Sequence, residues 1–182
     1  MKKESSAVYI VRLAITLLLI TAVVAAGLAC VNAVTAPEIE ALNAQKTQTA
    51  IEAVLPGGGE EIAFTDDSGI VSTIYKGQSG YAVEVTPAGF NGTVTMMVGV
   101  DNAGKVLGIS IVNHTETAGL GAEAASQGAA GTAFRSQFAG MSGSVSVSKD
   151  GGQVDALTGA TITSRAVCTG VNAALNAVAK LG

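Results

Sequence analysis

The stretch Asp155-Ala-Leu-Thr-Gly-Ala-Thr-Ile-Thr-Ser164 sets hydroxyls at Thr158, Thr161, Thr163 and Ser164 around a Gly159-Ala160 pair. A helical pattern follows directly. From Arg165 onward, Val167, Cys168, Val171, Leu175 and Val178 recur at three- and four-residue steps, which is one face of a helix. The start of a helix carries unpaired N–H groups and a partial positive charge, so it is a ready anchor for a phosphate. Gly159 and Ala160 let the backbone come close to whatever sits there. The plainer alternative is a capped helix, with Thr163 or Ser164 as N-cap and Gly159 turning the chain before it.

Upstream, Val145–Ser148 is predicted as a short strand that leads through Lys149-Asp-Gly-Gly152 into this stretch. Ala122 to about Phe138 is helix-compatible, although Gly128 and Gly131 weaken it. Four further strands are predicted. Ile70–Tyr75 and Tyr81–Thr86 are separated by Gly77 and Gly80. In Thr93–Val100, Val94, Met96, Val98 and Val100 alternate onto one face. In Val106–Asn113, Leu107, Ile109 and Ile111 share a face, and His114 ends the strand on the opposite one. Asp101-Asn-Ala-Gly104 between the last two reads as a hairpin turn. The fold class is therefore α+β, with a small antiparallel sheet of three or four strands and flanking helices. The glycine-rich composition, 23 glycines against seven aromatics, still leaves enough aliphatic residues for one core.

The N-terminal part is of another kind. Leu13–Val34 reads LAITLLLITAVVAAGLACVNAV, with no charge. At about 1.5 Å per residue it reaches roughly 33 Å, enough to cross a hydrocarbon core of about 30 Å. A cleavable signal peptide is the competing reading, cut near Ala26 or Ala29, but the apolar run is longer than a typical signal core. A retained anchor is therefore expected. Lys2, Lys3 and Arg12 precede the span with Glu4 as the one acid, and the next basic residue is Lys46. The positive-inside rule then puts residues 1–12 in the cytoplasm and the domain outside the membrane. Those twelve residues carry a net +2, which leaves −6 for the rest of a chain whose formal charge is −4. An acidic outer domain without basic clusters excludes nucleic-acid binding. Ile39, Leu42, Ala50, Ile51, Val54 and Leu55 predict helices from about Pro37 to Leu55, ended by Pro56-Gly-Gly-Gly59. The expected organisation is residues 1–12 cytoplasmic, 13–34 transmembrane, 35–60 a helical connector, and 61–182 the outer domain.

One histidine and two scattered cysteines do not make a metal site in this chain alone. Cys168 reads as a small hydrophobe on the last helix. Cys30 lies in the apolar span, as a small hydrophobe or as one ligand of a metal cluster shared with another protein of the same assembly. A lipoprotein role is disfavoured by Gly27, where a bulky aliphatic is expected.

Two motifs carry a resemblance. Asp-x-x-Thr-Gly-Ala-Thr, from Asp155 to Thr161, resembles the flavinylation signature of the FMN-binding domain family. Asn113-His-Thr-Glu-Thr-Ala-Gly-Leu-Gly121 resembles the His-x-Glu-Thr-Pro-Gly-Leu-Gly segment that packs beside the flavin in the same family, with Ala118 in place of proline. With the single N-terminal apolar segment, the chain is most similar to the G subunits of Rnf complexes, which couple electron flow between ferredoxin and NAD to ion pumping. The C subunit of the sodium-pumping NADH:quinone reductase is the second resemblance.

The resemblance implies FMN joined through its phosphate to the Thr161 hydroxyl by a dedicated flavin transferase, with FAD as donor and AMP as leaving product. Asp155 matches the motif's acid, for recognition or for holding the loop; a turn-forming aspartate is the plainer role. Thr158 and Thr163 can hydrogen-bond phosphate or backbone, beside Gly159, Ala160 and Ile162. Glu116, Thr117 and the Gly119-Leu120-Gly121 backbone are the implied contacts to the isoalloxazine ring. His114 is a secondary candidate as proton donor. The implied role is a membrane-anchored electron carrier working with other membrane subunits. A non-redox anchored module, or a surface flavoprotein with its own external acceptor, are the alternatives from other classes.

Overall fold

The computed structural model describes residues 6–66 and 68–181. They form two compact units, one up to Ala44 and one from Gln45 onward. A single helix, α1 (Ser6–Val54), contributes to both.

Within the first unit, α1 is uncharged on all sides from Leu13 to Val34. Val8, Leu17, Leu28 and Val34 are all more than half exposed. It is the one described helix long and apolar enough to cross a membrane. Thr16, Thr21 and Thr35 donate to the carbonyls of Arg12, Leu17 and Val31 at 2.9–3.0 Å, which satisfies these hydroxyls within the helix. Pro37 lies inside the helix and does not end it. The apolar span and the expected helical connector are thus parts of one helix. Proline removes one N–H···O bond, and the turns on either side keep theirs.

The second unit is built on a five-stranded antiparallel meander in the order β1 (Glu60–Ile62), β2 (Val71–Lys76), β3 (Gly80–Val85), β4 (Val94–Asp101), β5 (Val106–His114). The fold is α+β. The strand at Glu60–Ile62 has no counterpart among the predicted elements. It is three residues long and mostly exposed, so it has no hydrophobic period to read.

One face of the sheet carries the main core. Met96, Val98 and Val100 of β4 pack with Val83 and Val85 of β3 against α3 (Thr161–Ala179) and α2 (Ala129–Ser136). Phe134 and Phe138 meet edge to face at 5.4 Å. Cys168 is buried here, and burial pushes its thiol up to about 11, which leaves it an inert apolar group.

The other face is covered by the end of α1. Ala50, Ile51, Val54 and Leu55 pack on Ala82 and Met97. Gly99 permits this contact, because a Cβ there would strike the Val54 backbone oxygen.

Four sequence expectations are corrected. Leu107 does not share the Ile109 face: Val100 pairs with Val106 and Gly99 with Gly108, so Leu107 is the extra residue of a β-bulge and is exposed. A second irregularity, with Met96 opposite Ile111 and Thr95 opposite Asn113, brings His114 opposite Val94, on the face of Met96 and Ile111. Val145–Ser148 is not a strand, because the Val145 amide and carbonyl are both taken by the Asn172 side chain at 2.8 Å. Only a single bridge, Val147 to Val154, remains, followed by a 3₁₀ turn at Ser148–Asp150. The predicted helix from Ala122 to Phe138 is a 3₁₀ turn at Gly121–Ala124 and then α2, broken where Gly128 takes an extended conformation as N-cap.

Candidate functional site

The last helix begins at Thr161, not at Thr163 or Ser164. Ala160 is its N-cap and supplies no side-chain bond. Neither predicted cap caps: Ser164 Oγ donates back to the Ala160 carbonyl and accepts from the Leu157 amide, both at 3.0 Å. The first helical bond is Ser164 N–H to Ala160 O, so the amides of Thr161, Ile162 and Thr163 precede the hydrogen-bond ladder. Before it, Ala160 N–H donates to Leu157 O and closes a turn whose third residue, Gly159, has φ +74°. That conformation favours glycine, and Leu120 fills the space a Cβ would need. A turn of the same form, Thr117 to Leu120 with Gly119 at φ +74°, stands opposite in the second motif.

These two turns enclose a cavity of about 370 Å³. It is lined by Glu116, Thr117, Leu120, Gly121, Gly159, Ala160, Thr161, Ile162 and Thr163, together with Phe90 and Lys149. Phe90, Leu120 and Ile162 are 67%, 44% and 48% exposed. Among the described residues of the second unit, Leu107 is the one exposed large apolar side chain that lies away from this cavity. An open apolar rim of this size suits a flat aromatic ligand.

Glu116 is the buried acid of the site. Its Oε1 accepts from the amides of Phe90 at 2.8 Å and Asn91 at 3.1 Å, and its Oε2 accepts from Thr163 Oγ1 at 2.6 Å. One carboxylate thus ties three segments together: the 89–92 loop, the second motif and the first turn of α3. Glu116 and Thr163 hold the wall of the cavity, since each uses its polar atoms on the other or on backbone.

Lys149 carries no signal in the sequence, where it belongs to a loop between elements. Its Nζ donates to Thr161 Oγ1 at 3.1 Å. The loop behind it is pinned: Arg165 Nε and Nη2 donate to Asp150 Oδ2 and Oδ1, both at 2.7 Å. The guanidinium holds the Asp150 carboxyl below its usual range, and Arg165 is raised in turn. Phe90 also escapes the sequence reading, although one aromatic in a glycine-rich loop is a visible signal.

Other candidates lie outside the cavity. Gly119, Asp155 and Thr158 line a neighbouring depression beyond Leu120. Asp155 is held by its backbone, which donates to Gln137 Oε1 at 2.7 Å and accepts from Gln137 Nε2 at 3.2 Å. His114 lines neither space, and its Nδ1 is buried without a hydrogen-bond partner. Among the described residues, no group of three or more His, Cys, Asp or Glu side chains is placed to hold a metal ion.

The same stretch of chain is matched by known proteins. The FMN-binding domain family matches residues 89–176, from the Phe90 loop through most of α3. The chain is 35% identical to the G subunit of the Na(+)-translocating ferredoxin:NAD(+) oxidoreductase complex of Acetobacterium woodii, over 88% of this chain and 87% of that protein. It is 31% identical to the G subunit of the ion-translocating oxidoreductase complex of Methanosarcina acetivorans, over 93% and 94%. The G subunit of the proton-translocating ferredoxin:NAD(+) oxidoreductase complex of Clostridium ljungdahlii is 40% identical over about half of each chain, 54% and 52%. The chain belongs to the family of G subunits of ion-translocating oxidoreductase complexes, and its second unit holds the match to the FMN-binding domain family.

Proposed function

We propose that this chain is a membrane-anchored flavin electron carrier in an ion-translocating ferredoxin:NAD oxidoreductase (Rnf) complex, and that its FMN is bonded through phosphate to Thr161. The chain is an oxidoreductase subunit that passes electrons between other subunits of the complex. FMN supplies the one- and two-electron chemistry when bound. The residues present fit that group. Thr161 offers a hydroxyl at the open start of a long helix, Lys149 offers a cation beside it, and Phe90, Leu120 and Ile162 offer an apolar seat. The observation that carries the reading is this meeting of an anion site and an apolar rim at one threonine.

The remaining roles follow from that assignment. Thr161 is the acceptor in a reaction carried out by a separate flavin transferase. Gly159 and Ala160 keep the approach to it open. The backbone and Leu120 of the second motif border the ring, and Glu116 with Thr163 holds that border in place. Asp155 and Thr158 stand on the outer side of the acceptor turn, where a modifying enzyme can reach them. The anchor lies in the cell membrane with residues 1–12 cytoplasmic and the domain outside. Covalent attachment then prevents loss of the cofactor to a dilute medium.

Two measurements test this. The full chain, extracted from membranes of a host that supplies a flavin transferase, is expected to gain the mass of one FMN less one water. It should fluoresce on a denaturing gel, and Thr161→Ala should remove both signals. An unmodified mass, with the transferase active on another target, would leave only an anchored binding module. Protease added to spheroplasts should digest the domain; protection of the domain would reverse the orientation.

A further inference from the structure

Lys149 stands outside both motifs, and it is the residue whose charge reaches the acceptor. An ammonium has three donors and no acceptor, so Thr161 Oγ1 accepts the 3.1 Å bond and its own proton points elsewhere. Asp150, next in the chain, does not neutralise this cation. Among the described residues the one ion pair is Asp150 with Arg165, so the adjacent carboxylate is engaged on both oxygens and turned away. Arg165 is four residues after Thr161 on α3, one turn along the same face. The helix that carries the acceptor therefore also pins the turn that delivers Lys149.

We propose that Lys149 orients and polarises the Thr161 hydroxyl for flavin transfer and then neutralises the phosphodiester formed there, with the Asp150–Arg165 pair as its positioning device. This rests on the assignment of Thr161 as FMN acceptor. In the step served, the bond from Oγ1 to the flavin-side phosphorus of FAD forms and the bond from that phosphorus to the AMP half breaks. AMP leaves with the bonding electrons, and the hydroxyl proton is released. Nothing is oxidised or reduced. A cation at Oγ1 favours the negative charge that develops on it. Afterwards the ester oxygen is a poor acceptor, and the ammonium moves onto the adjacent phosphate oxygens, which carry one negative charge.

The test uses the full chain with an active flavin transferase and follows covalent flavin by in-gel fluorescence and intact mass over time. Lys149→Met is expected to slow attachment by about tenfold or more, the scale of one charge-assisted hydrogen bond. Lys149→Arg should recover most of the rate. Asp150→Asn should slow it about two- to fivefold, as the loss of an exposed pair does. The melting temperature of the unloaded protein should stay unchanged. In whatever fraction of Lys149→Met does load, the phosphorus-31 resonance of the bound flavin should shift, which a purely structural lysine would not cause.

Wild-type loading rates in Lys149→Met, or Lys149→Arg loading as slowly as Lys149→Met, would overturn the proposal while leaving Thr161 as acceptor. A wild-type chain that never loads would overturn the acceptor assignment itself. Should Lys149→Met fail to fold, Lys149→Gln with a wild-type melt makes the same comparison.

Discussion

At the residue scale, two buried or half-buried acids have opposite consequences. Glu116 is itself buried and accepts three hydrogen bonds, two from the 89–92 loop and one from the first turn of α3. Glu116→Ala is expected to cost about 2 kcal/mol, the scale of losing hydrogen bonds to a charged group and leaving the buried Thr163 hydroxyl unpaired. Thermal unfolding of the full chain in detergent should show it, along with freer motion of the Phe90 loop. Glu84, half-buried on the α1 face of the sheet, gains nothing comparable. Burial pushes its carboxyl up, and Glu61 pushes it further. The folded state therefore favours the protonated form. Stability is greatest below the ordinary carboxyl pKa and falls as pH rises through the folded value. Glu84→Gln removes that penalty. Its melting temperature should exceed the wild type's at pH 7, and the gain should vanish as pH falls below about 4. An equal gain at both pH values would put the cause elsewhere.

At the element scale, the site depends on where α3 begins. With α3 starting at Thr161, ahead of the expected caps Thr163 or Ser164, the hydroxyl proposed as flavin acceptor stands in the first turn and Thr163 is left to bond Glu116. The opposite face of the sheet depends on contact between the end of α1 and Gly99. Gly99→Ala drives a methyl group into the Val54 carbonyl, which is backbone and cannot rotate away. A loss of about 1–3 kcal/mol is expected, as for an overpacked core. Flavin loading by the surviving folded fraction should be normal, because the site lies on the other side of the sheet.

At the scale of the whole molecule, the second unit begins earlier than its composition suggests. Ile51, Val54 and Leu55 are nearly inaccessible and belong to its core, although they follow directly from the long apolar helix. A fragment starting at Gln45 is expected to fold and accept flavin. One starting at Glu61 loses that covering layer, worth roughly 1.5–3 kcal/mol for each large side chain, and should be insoluble or melt far lower. Circular dichroism of the two fragments checks this. Equal stability would mean that the α1 end is not part of the domain's core.

The sequence by itself determined the elements with a strong period. Strict alternation wrote β4, three- and four-residue steps wrote α3, and twenty-two uncharged residues wrote the apolar span. It also exposed Thr161 and the second motif, since both sit in short contiguous runs. Only tertiary structure decided the rest. The bulge at Leu107 appears once β5 is paired with β4, because register is a property of two strands. Lys149 meets Thr161 across twelve residues of chain, and Phe90 meets Glu116 across twenty-six. Asp155 and Thr158, in the same motif as Thr161, line the neighbouring depression and not the cavity that Thr161 lines. Sequence carries the periods and the punctuation of a chain; which distant side chain completes a site is settled by how its elements pack.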